Sequence, residues 1–332
     1  MQLYYEDIIE GSSIPSKSWG PLTNMDMIRF GSAIDSYGEI HQDYDWCIEH
    51  GFENVLLSGP FKQALICSWL DEVVGDIGYI KKIEVSHRGI NYVNETLTAS
   101  GTFTKTYTHE GNGFVECDIA ITNENGLVSC PGKATILVPM KEMDSIEFNF
   151  TAPVTYEEFL TKKISAEFTD PTNIYLTKEI IDMIGAMGES YTWPEPLDIS
   201  SIRRFTQGVF ETKSRYVDID YAQKSLIGSL IAPPAYVIRP PFGFWDKGML
   251  GESAIPVFTV PNTTVAVNGG NESEWYKVVK EGDTLTQQAR VIDIYEKKGA
   301  KRSLIPVVSE TIFINQDSEV VALSKQINIR MP

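Results

Sequence analysis

Apolar and polar residues follow two different periods along the first 140 residues of the chain. Helical spacing of the apolar positions runs through residues 24–33, the short segment 43–50 and the longer segment 61–74. Strand-like stretches follow at residues 80–90, 95–109, 113–123 and 127–139. Asparagine and glycine occupy the turns between them, and Asn-Gly between apolar runs is a strong hairpin signal. The pattern predicts a long helix followed by an antiparallel sheet.

Residues 141–174 show no sustained period. Charged residues and Pro153 interrupt short apolar runs there, and the segment is longer than most loops that lack secondary structure. We interpret it as a partly ordered connector that crosses the first domain, and not as a third domain.

The remaining residues, 175–332, repeat the first part of the chain. A shift of 175 positions pairs identical residues, among them Phe30 with Phe205 and Asp43 with Asp218. The final apolar stretches, 119–136 and 312–329, are also alike, with a larger offset because a proline- and aromatic-rich segment, 239–261, intervenes. Similar residues that occur in the same order in both parts of the chain indicate two copies of one structural unit. The sequence therefore predicts two domains, 1–140 and 175–332, joined by the connector 141–174.

Candidate chemistry lies in the first domain. Ser58-Gly59-Pro60 precedes the longest helical run, and proline suits the first turn of a helix, whose N–H groups have no intrahelical acceptor. The N–H of Gly59 would point out of the helix N-terminus, where the macrodipole favours negative charge. His41 lies eighteen positions earlier, whereas His87 alternates with its neighbours as strand residues do and is placed at the rim of the sheet. An imidazole and a helix-terminal amide suffice for proton transfer beside a developing oxyanion, although a surface histidine and an ordinary helix cap fit the same residues.

This stretch resembles the MaoC-like (R)-specific enoyl-CoA hydratases and dehydratases, which have the hot-dog fold. The end of their active-site loop is matched by Ile40-His41-Gln42-Asp43, and Gly59 falls on the glycine that follows their histidine by eighteen residues. The resemblance implies an α+β tandem, or double, hot-dog fold, in which each half is an antiparallel sheet wrapped around a central helix. It further implies that His41 is the catalytic base and that the Gly59 N–H holds the thioester oxygen.

Several positions differ from the family pattern. Ser36 occupies the position of the family's catalytic aspartate, so Asp35, one residue out of register, or Glu39 would have to supply the carboxylate. Ser58 replaces the histidine before the glycine, and Ser58 and Ser36 could help to hold the thioester oxygen. The candidate catalytic residues are therefore His41, Asp35 and Gly59, and the candidate substrate-binding residues are Ser36, Glu39 and Ser58.

The second domain resembles the FAS1-like or MaoC N-terminal hot-dog domain, through Ile231-Ala232-Pro233-Pro234 and residues 281–285. In double hot-dog relatives that half does no chemistry and helps to shape the acyl tunnel. The repeat supports the same role here, because His41 corresponds to Tyr216, a poor base at neutral pH, and Gly59 corresponds to Pro234, which has no N–H. Glu211 falls at the aspartate position, and we interpret it as structural or tunnel-lining.

Composition and charge narrow the range of partners. A formal net charge of −17 argues against nonspecific nucleic-acid binding, which relies on lysine and arginine facing phosphates. No apolar run is long enough to span a membrane and the N-terminus lacks a signal-peptide pattern, so a cytoplasmic protein is expected. The four cysteines lack zinc-site spacing, and no glycine-rich phosphate loop is present. We therefore expect neither a metal nor an organic cofactor.

Three functions fit these observations. The first is a hydro-lyase that adds water reversibly to the double bond of a 2-enoyl-CoA, with His41 and a nearby carboxylate activating the water. The second is a noncatalytic acyl-CoA-binding subunit whose partner supplies missing groups, and the third is an acyl-CoA thioesterase in which Asp35 or Glu39 does the chemistry. An acyl-CoA thioester is the expected ligand in each case. The sequence leaves open whether two chains pair as a homodimer, as the exposed sheets of hot-dog proteins in this family often do.

Overall fold

The computed structural model describes residues 2–239, 256, 258–299 and 302–332. Within these residues the strands form one eleven-stranded sheet in which all neighbours are antiparallel. The strands of the first half are β1 (Ser13–Trp19), β2 (Tyr79–Ser86), β3 (Leu97–His109), β4 (Asn112–Asn123) and β5 (Val128–Val138). Those of the second half are β6 (Tyr191–Thr192), β7 (Val265–Trp275), β8 (Thr286–Ile294), β9 (Lys297–Lys298), β10 (Ser303–Ile314) and β11 (Val320–Met331).

The helices precede or interrupt the strands of each half. In the first half they are α1 (Asn24–Ala33), α2 (Tyr44–Glu49) and α3 (Gly59–Val74), with 3-10 turns at Tyr5–Asp7 and Glu39–His41. The others are α4 (Tyr156–Thr161), α5 (Lys178–Ile181), α6 (Ile199–Gly208), α7 (Ser214–Val217), α8 (Ile219–Lys224) and α9 (Pro234–Val237). Most of the proline- and aromatic-rich segment 239–261 lies outside the described residues. No helix in the described part of the chain is both long and apolar enough to cross a membrane.

The sheet consists of two five-stranded sets with the same internal order. Across the sheet the order is β1-β3-β4-β5-β2 in the first half and β7-β11-β10-β8-β6 in the second, so that β2 pairs with β7 at the centre. Their register opposes Ile83 to Ser273 and Val85 to Asn271. Read from its outer edge, the second set has the order β6-β8-β10-β11-β7, which corresponds to β1-β3-β4-β5-β2 in the first set. Strand β9 pairs with β10 outside this order. The predicted tandem repeat of an antiparallel sheet is confirmed.

Helix α3 is the central helix of the first half. Leu65, Ile66 and Leu70 are fully buried, and the helix packs on β1, β2, β3 and β5. Each such side chain contributes about 1.5–3 kcal/mol when buried. The helix ends at Gly75, whose φ of 77° lies in the left-handed region that favours glycine. The equivalent position in the second half is occupied by α9, which has only four residues.

The first helices of the two halves pack against each other. The rings of Phe30 in α1 and Phe205 in α6, which correspond in the sequence repeat, lie 6.1 Å apart. Gly208 allows this approach, because a Cβ at that position would lie 3.1 Å from the Cα of Phe30. The two halves therefore share one hydrophobic core around the pair of repeated helices.

The connector packs first on one half of the sheet and then on the other. Phe148 stacks near Tyr79 of β2, at 4.8 Å between ring centroids, and the backbone N–H of Phe150 donates to the carbonyl of Tyr276 at 2.7 Å. Further along, Phe159 of α4 is fully buried against the second half. These contacts give the connector an ordered path over both halves, and its predicted limits, 141–174, stay a prediction.

Candidate active site at the start of the central helix

The first turn of α3 has one backbone amide without an acceptor. The Oγ of Ser58 accepts a hydrogen bond from the Phe61 N–H at 3.2 Å, and the Ser58 carbonyl accepts one from the Lys62 N–H at 3.1 Å. Pro60 has no N–H. The remaining N–H, that of Gly59, has no hydrogen-bond acceptor among the described residues. It therefore faces outward at the positive end of a buried sixteen-residue helix.

His41 is fixed next to the segment that leads into α3. Its Nδ1 lies 2.9 Å from the carbonyl oxygen of Leu56, and the Leu56 N–H donates to the carbonyl of Ile40 at 3.1 Å. Because a carbonyl can only accept, Nδ1 carries the proton in the neutral ring, and the lone pair is on Nε2. Burial lowers the pKa of His41, and the positive charge of Lys62 lowers it further. The ring is therefore neutral at physiological pH, with Nε2 able to accept a proton.

His87 lies directly against Gly59. A Cβ at position 59 would be 2.9 Å from the Nε2 of His87, so only glycine allows this contact. That Nε2 lies 3.3 Å from the Oδ1 of Asn271, and Nδ1 lies 3.6 Å from the Sγ of Cys130. Burial and the charge of Lys62 lower the pKa of His87 to about 4. Both ring nitrogens already have partners, so His87 supports the site and is not its base.

Lys62 supplies a buried positive charge one turn into α3. The residue is 3% exposed, and its Nζ donates to the carbonyl of Gly89 at 2.9 Å and to the Oδ1 of Asn91 at 3.4 Å. The amide of Asn91 in turn donates to Glu95 at 2.8 Å. Burial lowers the pKa of Lys62. The ammonium group and the helix dipole together make the start of α3 electropositive.

The structure brings some of the predicted residues to this site and leaves others outside it. Ser58 caps α3 and Gly59 is its first residue, and His41 is hydrogen-bonded to Leu56, two residues before Ser58. Asp35, with a φ of 55°, is half exposed, and its Oδ2 lies 3.6 Å from the Nη1 of Arg239. Glu39 is exposed on the surface next to Tyr37 and Asp43, and Ser36 contributes only backbone hydrogen bonds to Gly31 and Gln42. Among the described residues no direct hydrogen bond joins Asp35 or Glu39 to His41, and a carboxylate that acts on water together with His41 stays a prediction.

Sequence reasoning missed the roles of Lys62 and His87. A lysine inside an otherwise apolar helical run was the available signal for Lys62. His87 was placed at the rim of the sheet, whereas it is partly buried and packed on Gly59. Only the packing of the end of β2 against the start of α3 brings these residues together. Among the described residues, no group of three or more histidine, cysteine or acidic side chains could hold a metal ion.

Comparison with solved structures identifies the architecture. A protein from Chloroflexus aurantiacus named as a MaoC domain protein dehydratase matches with a TM-score of 0.67 and 12% sequence identity, over 99% of this chain and 97% of that one. A protein from Mycobacterium tuberculosis described as having a double hot-dog fold matches with a TM-score of 0.61 and 12% identity, over 100% of this chain and 99% of that one. The chain is a double hot-dog protein.

Two further comparisons bear on the halves of this double hot-dog protein. Residues 184–324 match the family model described as FAS1-like, dehydratase domain region, so the predicted resemblance of the second half is confirmed. A MaoC-like dehydratase from Phytophthora capsici matches with a TM-score of 0.53 and 9% identity, over 98% of this chain and 97% of that one. No curated protein sequence matches the chain.

The corresponding position in the second half of the double hot-dog protein has different chemistry. Pro234 begins α9 as Gly59 begins α3, and it has no N–H to offer. Tyr216, the counterpart of His41, is buried beside Arg215, and burial raises its pKa well above the ordinary value. At neutral pH the phenol of Tyr216 is therefore not a base, and Pro234 has no N–H to donate to an oxyanion.

A cavity of about 210 Å³ lies between the two halves, next to the first turn of α3. Pro60, Gln63 and Ala64 form one wall. Asn271, which contacts His87, also lines the cavity and thereby links it to the surroundings of Gly59. The remaining lining residues are Phe30, Ile34, Phe205, Ala235, Ile238, Arg239, Asn268, Gln287, Thr311, Phe313, Ser324 and Gln326.

Proposed function

We propose that this double hot-dog protein is a hydro-lyase that adds water reversibly to the 2,3-double bond of a 2-enoyl-CoA thioester. One observation carries the proposal: an unpaired Gly59 N–H at the positive end of a buried helix, near a neutral His41 whose Nε2 has no partner among the described residues. These are the two groups that such an addition needs, a hydrogen-bond donor for the thioester oxygen and a base for the water.

The proposed reaction uses these groups in the following order. The thioester carbonyl accepts a hydrogen bond from the Gly59 N–H. As the water oxygen bonds to C3, Nε2 of His41 takes a proton from the water, and the electrons of the double bond move onto the thioester oxygen. The resulting enolate is stabilised by the Gly59 N–H, the helix dipole and the charge of Lys62. The His41 imidazolium then gives its proton to C2, which restores the base and completes the addition.

A direct assay tests this proposal. The protein is mixed with crotonyl-CoA and with longer 2-enoyl-CoAs, and hydration is followed as loss of the conjugated absorbance. We expect His41→Gln to lower kcat/KM by about 100-fold or more, because it removes the acid–base group. His50→Gln is a matched control, because His50 also places its Nδ1 on a backbone carbonyl, that of Trp46, but is exposed. Equal rates for wild type and His41→Gln would refute the proposal.

One observation favours a second candidate, a noncatalytic acyl-CoA-binding subunit. No carboxylate among the described residues hydrogen-bonds either His41 or His87. Tight binding of crotonyl-CoA without turnover, or turnover only after a partner protein is added, would support this candidate over the first. Release of free CoA thiol in the same assay, detected with a thiol reagent, would instead indicate the thioesterase chemistry considered for Asp35 or Glu39.

A further inference from the structure

A chain of hydrogen bonds begins at the backbone of β7, and its direction is fixed from the first donor. The N–H of Gly270 can only donate, and the Oδ1 of Asn268 accepts from it at 3.0 Å. The Nδ2 of Asn268 therefore donates to the Oδ1 of Asn271 at 2.9 Å. The same Oδ1 lies 3.3 Å from the Nε2 of His87, which carries a proton, and the Nδ1 of His87 accepts from the Sγ–H of Cys130 at 3.6 Å. One backbone N–H thus fixes the orientation of both amides and the tautomer of the imidazole.

The free end of this chain is the Nδ2 of Asn271. Because Oδ1 accepts both hydrogen bonds, the NH₂ group points away from Asn268 and His87. It has no acceptor among the described residues and is accessible to solvent. Asn271 lies directly opposite Val85 of β2, which is buried in the core shared by the two halves, and opposed residues point to the same face of a sheet. The amide of Asn271 therefore lies on the inner face of the sheet, where Asn271 lines the cavity between the halves.

Asn271 and Gly59 contact the same ring nitrogen of His87. The Nε2 of His87 lies 3.3 Å from the Oδ1 of Asn271, and it would lie 2.9 Å from a Cβ at position 59. Pro60, the residue after Gly59, lines the same cavity as Asn271. Two hydrogen-bond donors without acceptors are thus held next to each other by one imidazole, the Gly59 N–H from the first half and the Asn271 NH₂ from the second.

We propose that Asn271 is the second donor to the thioester oxygen, which it holds together with the Gly59 N–H. The inference rests on the proposed function for the reaction. A carbonyl oxygen has two lone pairs and can accept from two donors, and donors that are already oriented stabilise the enolate most strongly. His87 is then a positioning residue, because its Nε2–H holds the Oδ1 of Asn271. The second half, which has no base or helix amide of its own at the equivalent position, would contribute to the chemistry through this side chain.

Two substitutions of Asn271 test the proposed donor. Asn271→Asp keeps the oxygen that accepts from His87 and Asn268 and replaces only the NH₂ group. We expect it to lower kcat for hydration of crotonyl-CoA by about 100- to 1,000-fold, with a smaller change in KM, because a donor to the oxyanion acts mainly in the transition state. Asn271→Ala should show a loss of similar size. A kcat of Asn271→Asp within a few-fold of wild type would show that only the oxygen matters and would overturn the inference.

A spectroscopic measurement tests the contact itself. Butyryl-CoA has no double bond to hydrate, and the stretching frequency of its thioester carbonyl falls when the oxygen accepts hydrogen bonds. We expect the frequency of bound butyryl-CoA to be higher in Asn271→Ala and Asn271→Asp than in wild type. Asn315→Asp is the matched control, because the Oδ1 of Asn315 also accepts two hydrogen bonds, from the N–H groups of Asp317 and Glu319, but lies in the turn after β10. It should keep the wild-type frequency and kcat.

The two measurements separate the inference from the proposed function. If crotonyl-CoA is not hydrated but the carbonyl frequency of bound butyryl-CoA depends on Asn271, the hydratase proposal fails and the contact is supported. If hydration occurs and neither kcat nor the frequency changes in the Asn271 variants, the inference alone is refuted. If wild type does not bind butyryl-CoA, both are refuted.

Discussion

At the scale of single residues, Lys62 governs the electrostatics of the candidate site. Its ammonium group is held by the Gly89 carbonyl and Asn91, and its charge adds to burial in lowering the pKa of both His41 and His87. A base that is neutral at physiological pH can accept a proton from water, and a nearby fixed cation favours the enolate that forms. One buried lysine therefore favours both the neutral base and the enolate of the proposed reaction.

The pH dependence of the reaction should report this charge. Because burial and Lys62 lower the pKa of His41, the acidic limb of the kcat/KM profile is expected below pH 6.5, the ordinary value for histidine. Lys62→Met removes the positive charge, so the pKa of His41 should rise and the limb should move to higher pH. Lys82→Met is the control, because that side chain pairs with Glu272 at 2.6 Å on the sheet. An acidic limb at the same pH in wild type and in Lys62→Met would contradict the effect of the Lys62 charge on His41.

Residue patterns single out His41 and Gly59 as candidates because both belong to one local stretch with a helix start at its end. Lys62 and His87 could not be predicted in the same way, since their roles depend on how β2 ends beside α3. Asp35 stays a predicted partner of His41, and in the structure its carboxylate forms an ion pair with Arg239. Residue spacing does not predict where a side chain points in a loop that contains a residue with positive φ, such as Asp35 here.

At the scale of elements, the start of α3 combines a structural and a chemical role. Ser58 caps the helix and Pro60 occupies its first turn, and together they leave only the Gly59 N–H free near the N-terminus. The cap therefore determines which N–H group of the first turn stays free.

Replacement of the cap separates these roles. Ser58→Ala should lower the free energy of unfolding by about 1 kcal/mol, the usual contribution of a serine N-cap, and should leave kcat/KM within a few-fold of wild type. Chemical denaturation and the hydration assay measure the two effects. A large loss of activity with unchanged stability would instead show that Ser58 contacts the substrate, as the family resemblance suggested.

Helices and strands of the first half were largely predictable. Residues 24–33 form α1, and the four strand-like stretches form β2 to β5 because their apolar periods match one buried face. For the second half, the order of helices and strands could be predicted only from the sequence repeat. The shortness of α9, four residues against sixteen in α3, could not be anticipated, because Pro233 and Pro234 fit the first turn of a helix of any length.

At the scale of the whole molecule, a buried charged cluster joins the two halves near the C-terminal end of α3. Arg215 from the second half hydrogen-bonds Asp71 of α3 and the carbonyl of Gly78, and Lys213 hydrogen-bonds the carbonyl of Gly75. Glu211 lies in the same cluster, and burial and the charge of Asp71 raise its pKa to about 7. The cluster links the two halves through hydrogen bonds between α3 and the segment 211–215.

Glu211 makes the stability of the molecule depend on pH. Its pKa is about 7 when folded and 4.5 when unperturbed, so the folded state holds a proton that the unfolded state releases between these values. The stabilisation is therefore full below about pH 4.5 and is lost as pH rises through 7, a change of about 3 kcal/mol. Glu211→Gln keeps the acceptor for the Thr212 and Lys213 N–H groups but has no titrating carboxyl at this position. Its unfolding free energy minus that of wild type should therefore increase as the pH rises through this range. Parallel plots of unfolding free energy against pH for wild type and Glu211→Gln would contradict this role of Glu211.

The central claim is that the chemistry takes place at the start of α3 and not at its counterpart in the second half. The most direct measurement is kcat/KM for hydration of a 2-enoyl-CoA by Gly59→Ala and by Pro234→Ala. At position 59 the added methyl group would meet the Nε2 of His87 at 2.9 Å, so the loss should reach about 100-fold or more. Pro234→Ala keeps the carbonyl that accepts from Trp275 and should have wild-type activity. Equal activities for the two variants would contradict the account.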